Sequence, residues 1–361
     1  MHVAFVNNTR KWGGVKTWSL AMAKSLQDAG HQSSVLGQDP VFIEKALSMG
    51  LNAVRRPVGP DYNPMAIAFY RAFFSRHAVD AVVVNVGKDI RSAGIAARIR
   101  GIPMIHRVGA PRDFRSTIQT RLESNLLRPH YLCCSQYVLD LLQVSVPHVG
   151  RFMKTAIHPG TPVPVLLPER NRGGEMHIIT TSRLSSDKRH AELLEALCAL
   201  RDEGFLFRLT IVGDGDERPA LETLTRQKRL EDRVRFTGFT TDVSARLKEA
   251  DIFVLPTWCE PLGIALEEAM AQGLVPVARN AGGVPEIWPE GLEYLLVEQK
   301  SGARGFAVAL RSLISLSRES FDALRVQVHA HAGRCFDQKE QFRKFYAWVL
   351  DVQAAMNSRA S

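Results

Sequence analysis

The chain has 361 residues, 46 Lys/Arg against 37 Asp/Glu and a formal net charge of +9, with 45% hydrophobic residues. That length predicts two or three domains with sizeable cores, and the ordinary composition excludes a disordered, collagen-like or short-period repeat protein. No run of about 18 apolar residues argues for a membrane-spanning helix, and Cys133, Cys134, Cys198, Cys259 and Cys335 form neither a C-x-x-C pair nor a zinc-spaced Cys/His cluster.

His2–Asn7 reads as a first strand and not as a secretion signal, so the cytoplasm is the expected location. Trp12-Gly13-Gly14-Val15 follows it. Paired glycines either make an ordinary turn or let the backbone approach another molecule, leaving helix-start amides open to an anion; Lys16 is a further candidate there. A helix is predicted over Thr17–Gly30. The short apolar runs Ser33–Leu36, Ala81–Val86, Ile102–His106 and Tyr131–Ser135 alternate with amphipathic stretches, the rhythm of βαβ units and a parallel sheet. His106 ends one of these runs and is either structural or a ligand contact, a role that Arg107 or Asp113 could share. In Pro111–Arg128 the residues Arg112, Arg115, Arg121 and Arg128 alternate with Phe114, Leu122, Leu126 and Leu127. This segment is either a solvated helix with its apolar face packed inward or an amphipathic element that touches an anionic membrane. Residues 1–168 hold 20 Lys/Arg and 9 Asp/Glu, so the basicity belongs to the first half. A basic face attracts phosphates, anionic glycans or lipid headgroups.

Residues 159–174 are rich in Pro and Gly and read as a linker. The rhythm restarts with Met176–Thr181, a helix over Lys188–Glu203, and the runs Phe207–Gly213, Arg233–Gly238, Ile252–Leu255 and Val275–Ala278. Two alternating sets imply an α/β protein of two doubly wound, Rossmann-like domains, 1–168 and 169–335, facing each other across a cleft, with ligands beyond the carboxyl ends of the strands. Residues 336–361 add a helix-compatible, aromatic-rich tail.

Arg183 and Lys188 directly follow a predicted strand, where a guanidinium and an ammonium can neutralise a diphosphate. Gly213-Asp-Gly215 fits a tight strand-to-helix turn. Arg218 stands where a third glycine would complete a dinucleotide fingerprint, which argues against a nicotinamide-dependent oxidoreductase. Glu260 and Glu268 flank a Pro- and Gly-containing turn and the start of a helix. Eight helical steps would separate them by roughly 12 Å, the reach needed to hold both ends of an elongated ligand through carboxylates that accept hydrogen bonds from paired hydroxyls.

Together with Gly282-Gly-Val-Pro-Glu286, the Glu260-Pro-Leu-Gly263 opening and the glutamate spacing resemble the donor site of retaining glycosyltransferase family 4, whose fold is called GT-B. The resemblance covers the whole chain in architecture and is most specific over 181–286. It implies that Glu260 contacts the transferred sugar, that Pro261, Leu262, Gly263 and Ile264 offer backbone amides to sugar and phosphates, and that Glu268 holds the ribose. Arg183 and Lys188 would stabilise the leaving nucleotide. Gly13, Gly14 and Gly213 would line the cleft, Gly238 would lie near the base, and His106 would be the catalytic histidine, although Arg107-Val-Gly109 departs from the His-Asp or His-Gly pattern of relatives. The last helix would cross back to the first domain.

The activity so implied is retaining, metal-independent sugar transfer without a cofactor, no Asp-x-Asp motif being present. The expected donor is a nucleotide sugar, a UDP-sugar by preference. The expected acceptor is a glycan, lipid-linked glycan or lipopolysaccharide in bacterial surface-polysaccharide assembly, reached from the inner face of the cytoplasmic membrane through the basic first domain. A sugar-nucleotide epimerase or a phosphorylase on the same architecture is the enzymatic alternative. A basic nucleic-acid-binding protein is the other, opposed by the absence of a binding module.

Overall fold

The computed structural model describes residues 1–9, 12–110, 113–169 and 174–358, Asn357 by its backbone alone. Arg112 and residues 170–173 of the expected linker therefore lie outside the described residues. The chain divides into two compact units, Met1–Gly160 with Lys339–Ser361, and Thr161–Gln338.

In the first unit the described residues form a seven-stranded sheet in the order β3-β2-β1-β4-β5-β6-β7. The strands are β1 (His2–Val6), β2 (Gln32–Gly37), β3 (Asn52–Arg55), β4 (Ala81–Val84), β5 (Met104–Val108), β6 (His130–Cys133) and β7 (Lys154–Ala156), all paired in parallel. Central runs such as Val3–Val6 and Ala81–Val84 are buried along their whole length, because helical crossovers cover both faces of a parallel sheet. The helices are α1 (Gly14–Asp28), α2 (Pro40–Ser48), α3 (Pro64–Arg76), α4 (Ile95–Arg100), α5 (Ile118–Leu127) and α6 (Gln136–Ser145). α1 starts earlier than predicted, since the amides of Lys16 and Thr17 already donate to the Gly13 carbonyl at 3.0 and 3.3 Å.

The second unit has a parallel sheet ordered β10-β9-β8-β11-β12-β13, built from β8 (Met176–Thr181), β9 (Phe207–Val212), β10 (Val234–Gly238), β11 (Ile252–Leu255), β12 (Val275–Arg279) and β13 (Leu296–Val297). Its helices are α7 (His190–Asp202), α8 (Arg218–Gln227), α9 (Val243–Leu247), α10 (Ile264–Ala271), α11 (Gly302–Ile314) and α12 (Arg318–Cys335). The predicted helix over Lys188–Glu203 is shorter at its start. Arg189 adopts φ +54°, so Ser186–Lys188 form a separate 3₁₀ turn and α7 begins at His190.

The division falls after Gly160, earlier than the Pro/Gly pattern suggests. Residues beyond it are tied to the second unit: the Thr161 amide donates to the Phe336 carbonyl and the Gln338 amide to the Thr161 carbonyl, both at 3.0 Å, while Arg325 Nη2 donates to the Pro168 carbonyl at 2.6 Å. The final helix, α13 (Gln338–Asn357), belongs almost wholly to the first unit. Its Phe345 and Val349 enter that unit's core with Phe5 and Trp18, the Phe345 ring lying 5.7 Å from Trp18 and 6.3 Å from Phe5.

Candidate functional site

Strand order in the second unit reverses beside β8, whose neighbours are β9 and β11. The loops that leave the carboxyl ends of β8 and β11 diverge there, and such switch points leave a crevice for ligands. Ser182–Lys188 follows β8 and Pro256–Gly263 follows β11. The Trp258 amide donates to the Asp187 carbonyl at 3.0 Å, tying the two loops. Across this seam Lys188 Nζ lies 2.9 Å from Glu260 Oε2, both side chains largely but not fully buried. The cation and the carboxylate picked out 72 residues apart thus form one ion pair. Arg183, in the same loop as Lys188, is exposed. Burial alone would raise the Asp187 pKa, but a hydrogen bond from Ser185 and the charges of Lys188 and Arg183 bring it below its ordinary value. His190, at the start of α7, is pushed down to about 4 by burial and by Lys188; its Nε2 pairs with Ser182 Oγ at 2.9 Å.

Glycines set these loops against their neighbours. A Cβ on Gly213 would stand 1.9 Å from the Ser182 carbonyl oxygen, and one on Gly215 2.2 Å from that of Leu184. The Gly-Asp-Gly turn is therefore the bed on which the Arg183 loop lies, with Leu184 N donating to Asp214 O at 3.0 Å. Gly213 N in turn donates to Gly238 O at 2.9 Å. Gly282 and Gly283 do the same for the other loop: added Cβ atoms would stand 1.9 Å from the Glu260 oxygen and 2.3 Å from the Pro261 oxygen, and Gly283 N donates to Glu260 O at 3.0 Å.

Helix α10 begins only at Ile264. Gly263 caps it at φ +108° with no side-chain hydrogen bond to the first amides, a backbone conformation that glycine adopts cheaply. Pro261 and Gly263 keep Glu260 in the loop, so Glu268 sits little more than one turn into the helix, and the continuous helical rise expected between the two glutamates does not apply. The Leu262 side chain is buried in the core, which leaves its backbone for any contact. Ile264 is half-buried at the first turn. Glu268 is partly exposed and meets no partner among the described residues; burial raises its pKa to about 7. It is a carboxylate whose hydrogen bonds are unmade.

A support beneath the seam was not foreseen. Arg279, at the end of β12, is fully buried. It pairs with Glu192 of α7 and donates to the carbonyls of Pro256 at 3.0 Å and Gln299 at 2.8 Å. The Trp258 ring lies over this guanidinium at 5.2 Å and is approached by Arg189 at 5.1 Å. The signal was a single charge closing the apolar run Val-Pro-Val-Ala-Arg279.

The first unit holds the remaining candidates. Gly13 precedes α1, whose first turn has neither a capping side chain nor an acid, and among the described residues a Cβ on Gly13 would meet nothing within 4 Å. Unlike the glycines above, it has space in front of it. Gly14 opens the helix. Lys16 is buried against Asp39 with its ammonium 5.6 Å from the Phe42 ring. His106 is a buried residue of β5, packed 5.2 Å from Phe114 and 5.7 Å from Tyr131, and burial pushes its pKa down to about 4. Arg107 is buried with its guanidinium 4.5 Å over Trp18, and Asp113 is exposed, its Oδ2 accepting from the Ala110 amide at 2.8 Å. Among the described residues no three His, Cys, Asp or Glu side chains are grouped to hold a metal, and no helix is long and apolar enough to cross a membrane.

Residues 175–315 match the family described as Glycosyl transferases group 1. The putative colanic acid biosynthesis glycosyltransferase of Salmonella typhimurium is 27% identical over 205 residues, 55% of this chain and 48% of that protein. The amylovoran biosynthesis glycosyltransferase of Erwinia amylovora is 32% identical over 165 residues, 44% of this chain and 40% of that protein. The chain thus spans less than half the length of these curated relatives. Among solved structures, Anabaena HepE in complex with UDP and glucose superposes with a TM-score of 0.79 at 20% identity, covering 97% of this chain and 100% of that one. Residues 175–315 are thus similar to the Glycosyl transferases group 1 family, and the chain that carries them has the GT-B fold of two doubly wound α/β units.

Proposed function

We propose that this chain is a retaining, metal-independent glycosyltransferase of family 4. It moves a sugar from a nucleotide sugar, a UDP-sugar by preference, to a glycan, lipid-linked glycan or lipopolysaccharide acceptor during bacterial surface-polysaccharide assembly, working as a peripheral protein on the inner face of the cytoplasmic membrane. The observation that carries the reading is the Lys188–Glu260 pair at 2.9 Å, flanked by the start of α10, where Gly263 supplies no side-chain cap, and by Glu268, which has no partner among the described residues. As the anomeric bond breaks, the nucleotide diphosphate gains negative charge. Arg183, Lys188 and the α10 amides meet that charge where it develops, stabilising the transition state more than the bound donor. Glu260 orients Lys188 and receives the sugar hydroxyls, and Glu268 takes the ribose hydroxyls in place of the partners it lacks. The relatives' names, with colanic acid and amylovoran among their products, and the UDP and glucose bound by HepE support the donor and product classes.

Calorimetric titration of the full chain with UDP-, GDP- and ADP-sugars, followed by mass spectrometry of products on glycan and lipid acceptors, tests it. Binding of one nucleotide series that is lost in Glu268→Ala is expected. No nucleotide binding, or turnover of a nucleotide sugar without acceptor, would overturn it.

A further inference from the structure

We infer that α5 is the membrane-docking element of this protein, with its apolar stripe lying in the interface of an anionic bilayer. Ile118, Leu122 and Leu126 recur every fourth residue and so share one face of the helix; they are 82%, 56% and 69% exposed. The polar face is the one turned inward. Glu123, the single acid of the helix, is nearly buried and accepts hydrogen bonds from Arg91 Nε at 2.8 Å, the Tyr62 hydroxyl at 2.6 Å and Gln119 Nε2 at 2.9 Å. Ser124 Oγ pairs with the Tyr131 hydroxyl at 3.0 Å. α5 is therefore pinned by its polar side chains and presents its aliphatic ones, the reverse of an ordinary surface helix. Arg98 Nε donates to the Leu126 carbonyl at 3.0 Å, and its neighbour on α4, Ile99, is a further exposed aliphatic residue.

The surroundings select the occupant. Arg98, Arg100, Arg115, Arg121 and Arg128 are all exposed around this patch, and the unit that carries it holds 24 Lys/Arg against 11 Asp/Glu. A second copy of the chain would set this arginine ring against itself. An anionic lipid surface satisfies both features at once, taking three aliphatic side chains at the depth of the acyl boundary and pairing the arginines with headgroup phosphates. This docking gives the membrane attachment proposed above a surface, and it does not depend on whether the chain transfers sugar.

The test is co-sedimentation of the full chain with vesicles of phosphatidylcholine alone and of phosphatidylcholine in which phosphatidylglycerol makes up about a third of the lipid. No donor or glycan is present, so the outcome is separate from any failure of the transferase reading. The wild type should partition onto the anionic vesicles, and I118S/L122S/L126S should partition about tenfold less while keeping its cooperative melt, because those side chains are mostly exposed. R115Q/R121Q should lose the preference for anionic over neutral lipid. Absence of wild-type binding, or equal binding by the triple variant, would overturn the inference. So would self-association in sedimentation velocity that the triple variant abolishes while vesicles are ignored, since the face would then be a protein interface.

Discussion

Lys188 and Glu260 hold each other at 2.9 Å, and in the proposed reaction a donor sugar enters by sharing or displacing that contact. Lys188→Ala and Glu260→Ala should each lower the initial rate of transfer by about 10²–10³-fold, the size seen when a preorganised electrostatic group is removed, with little change in melting temperature because both side chains face partly open space. Near-normal rates in both would remove the pair from the chemistry. Glu268 behaves differently because its pKa, about 7, stands above the ordinary carboxylate value. The folded protein binds a proton there that the unfolded chain has released, so the stability contributed by this group is present at low pH and lost as pH rises through 7. Glu268→Gln should flatten that part of the pH–stability curve. Hydroxyl donors on the carboxylate would favour its charged form, so nucleotide binding near pH 7 should release protons, measurable as a calorimetric enthalpy that changes with the ionisation enthalpy of the buffer. A buffer-independent enthalpy would take Glu268 out of the binding step.

Loops and helices carry the next level of organisation. Gly282→Ala places a Cβ against a backbone carbonyl at φ +62°, where neither partner can move without displacing Glu260. It should cost about 2–4 kcal/mol in denaturant titration and lower activity with it. Gly13→Ala meets no described atom within 4 Å and should leave stability within about 0.5 kcal/mol; a fall in rate without a fall in stability would identify Gly13 as a place where ligand approaches. Apolar runs and glycine motifs made most of the strands and both switch-point loops legible in the sequence, because they are set by local pattern; the short edge strands β3, β7 and β13 carry too brief a run to announce themselves. Four further features were not. Periodicity shows which α5 residues share a face but not which face is inward, since Glu123 and Ser124 find their partners in Arg91, Tyr62 and Tyr131. The left-handed Arg189 that delays α7 has no glycine to announce it. The Glu192–Arg279 pair joins residues 87 apart that no motif links, and the position of His106 between Phe114 and Tyr131 depends on two later segments.

At the scale of the molecule, the second unit is an insertion into the first, with its ends side by side where Thr161 bonds to Phe336 and Gln338 to Thr161. A fragment of residues 161–338 should therefore fold alone with a cooperative melt, whereas a chain stopped after residue 338 should retain that transition and lose or greatly weaken the transition of the first unit. Coincident loss of both would mean that the units do not fold independently. The same topology orders events on the ribosome. Phe5 and Trp18 are made before the second unit, yet the ring that closes over them, Phe345, is made after it. The first unit is thus completed after the second, and a chain that stops before α13 exposes an aromatic surface to chaperones and proteases, so α13 serves as a built-in check that both units have been made.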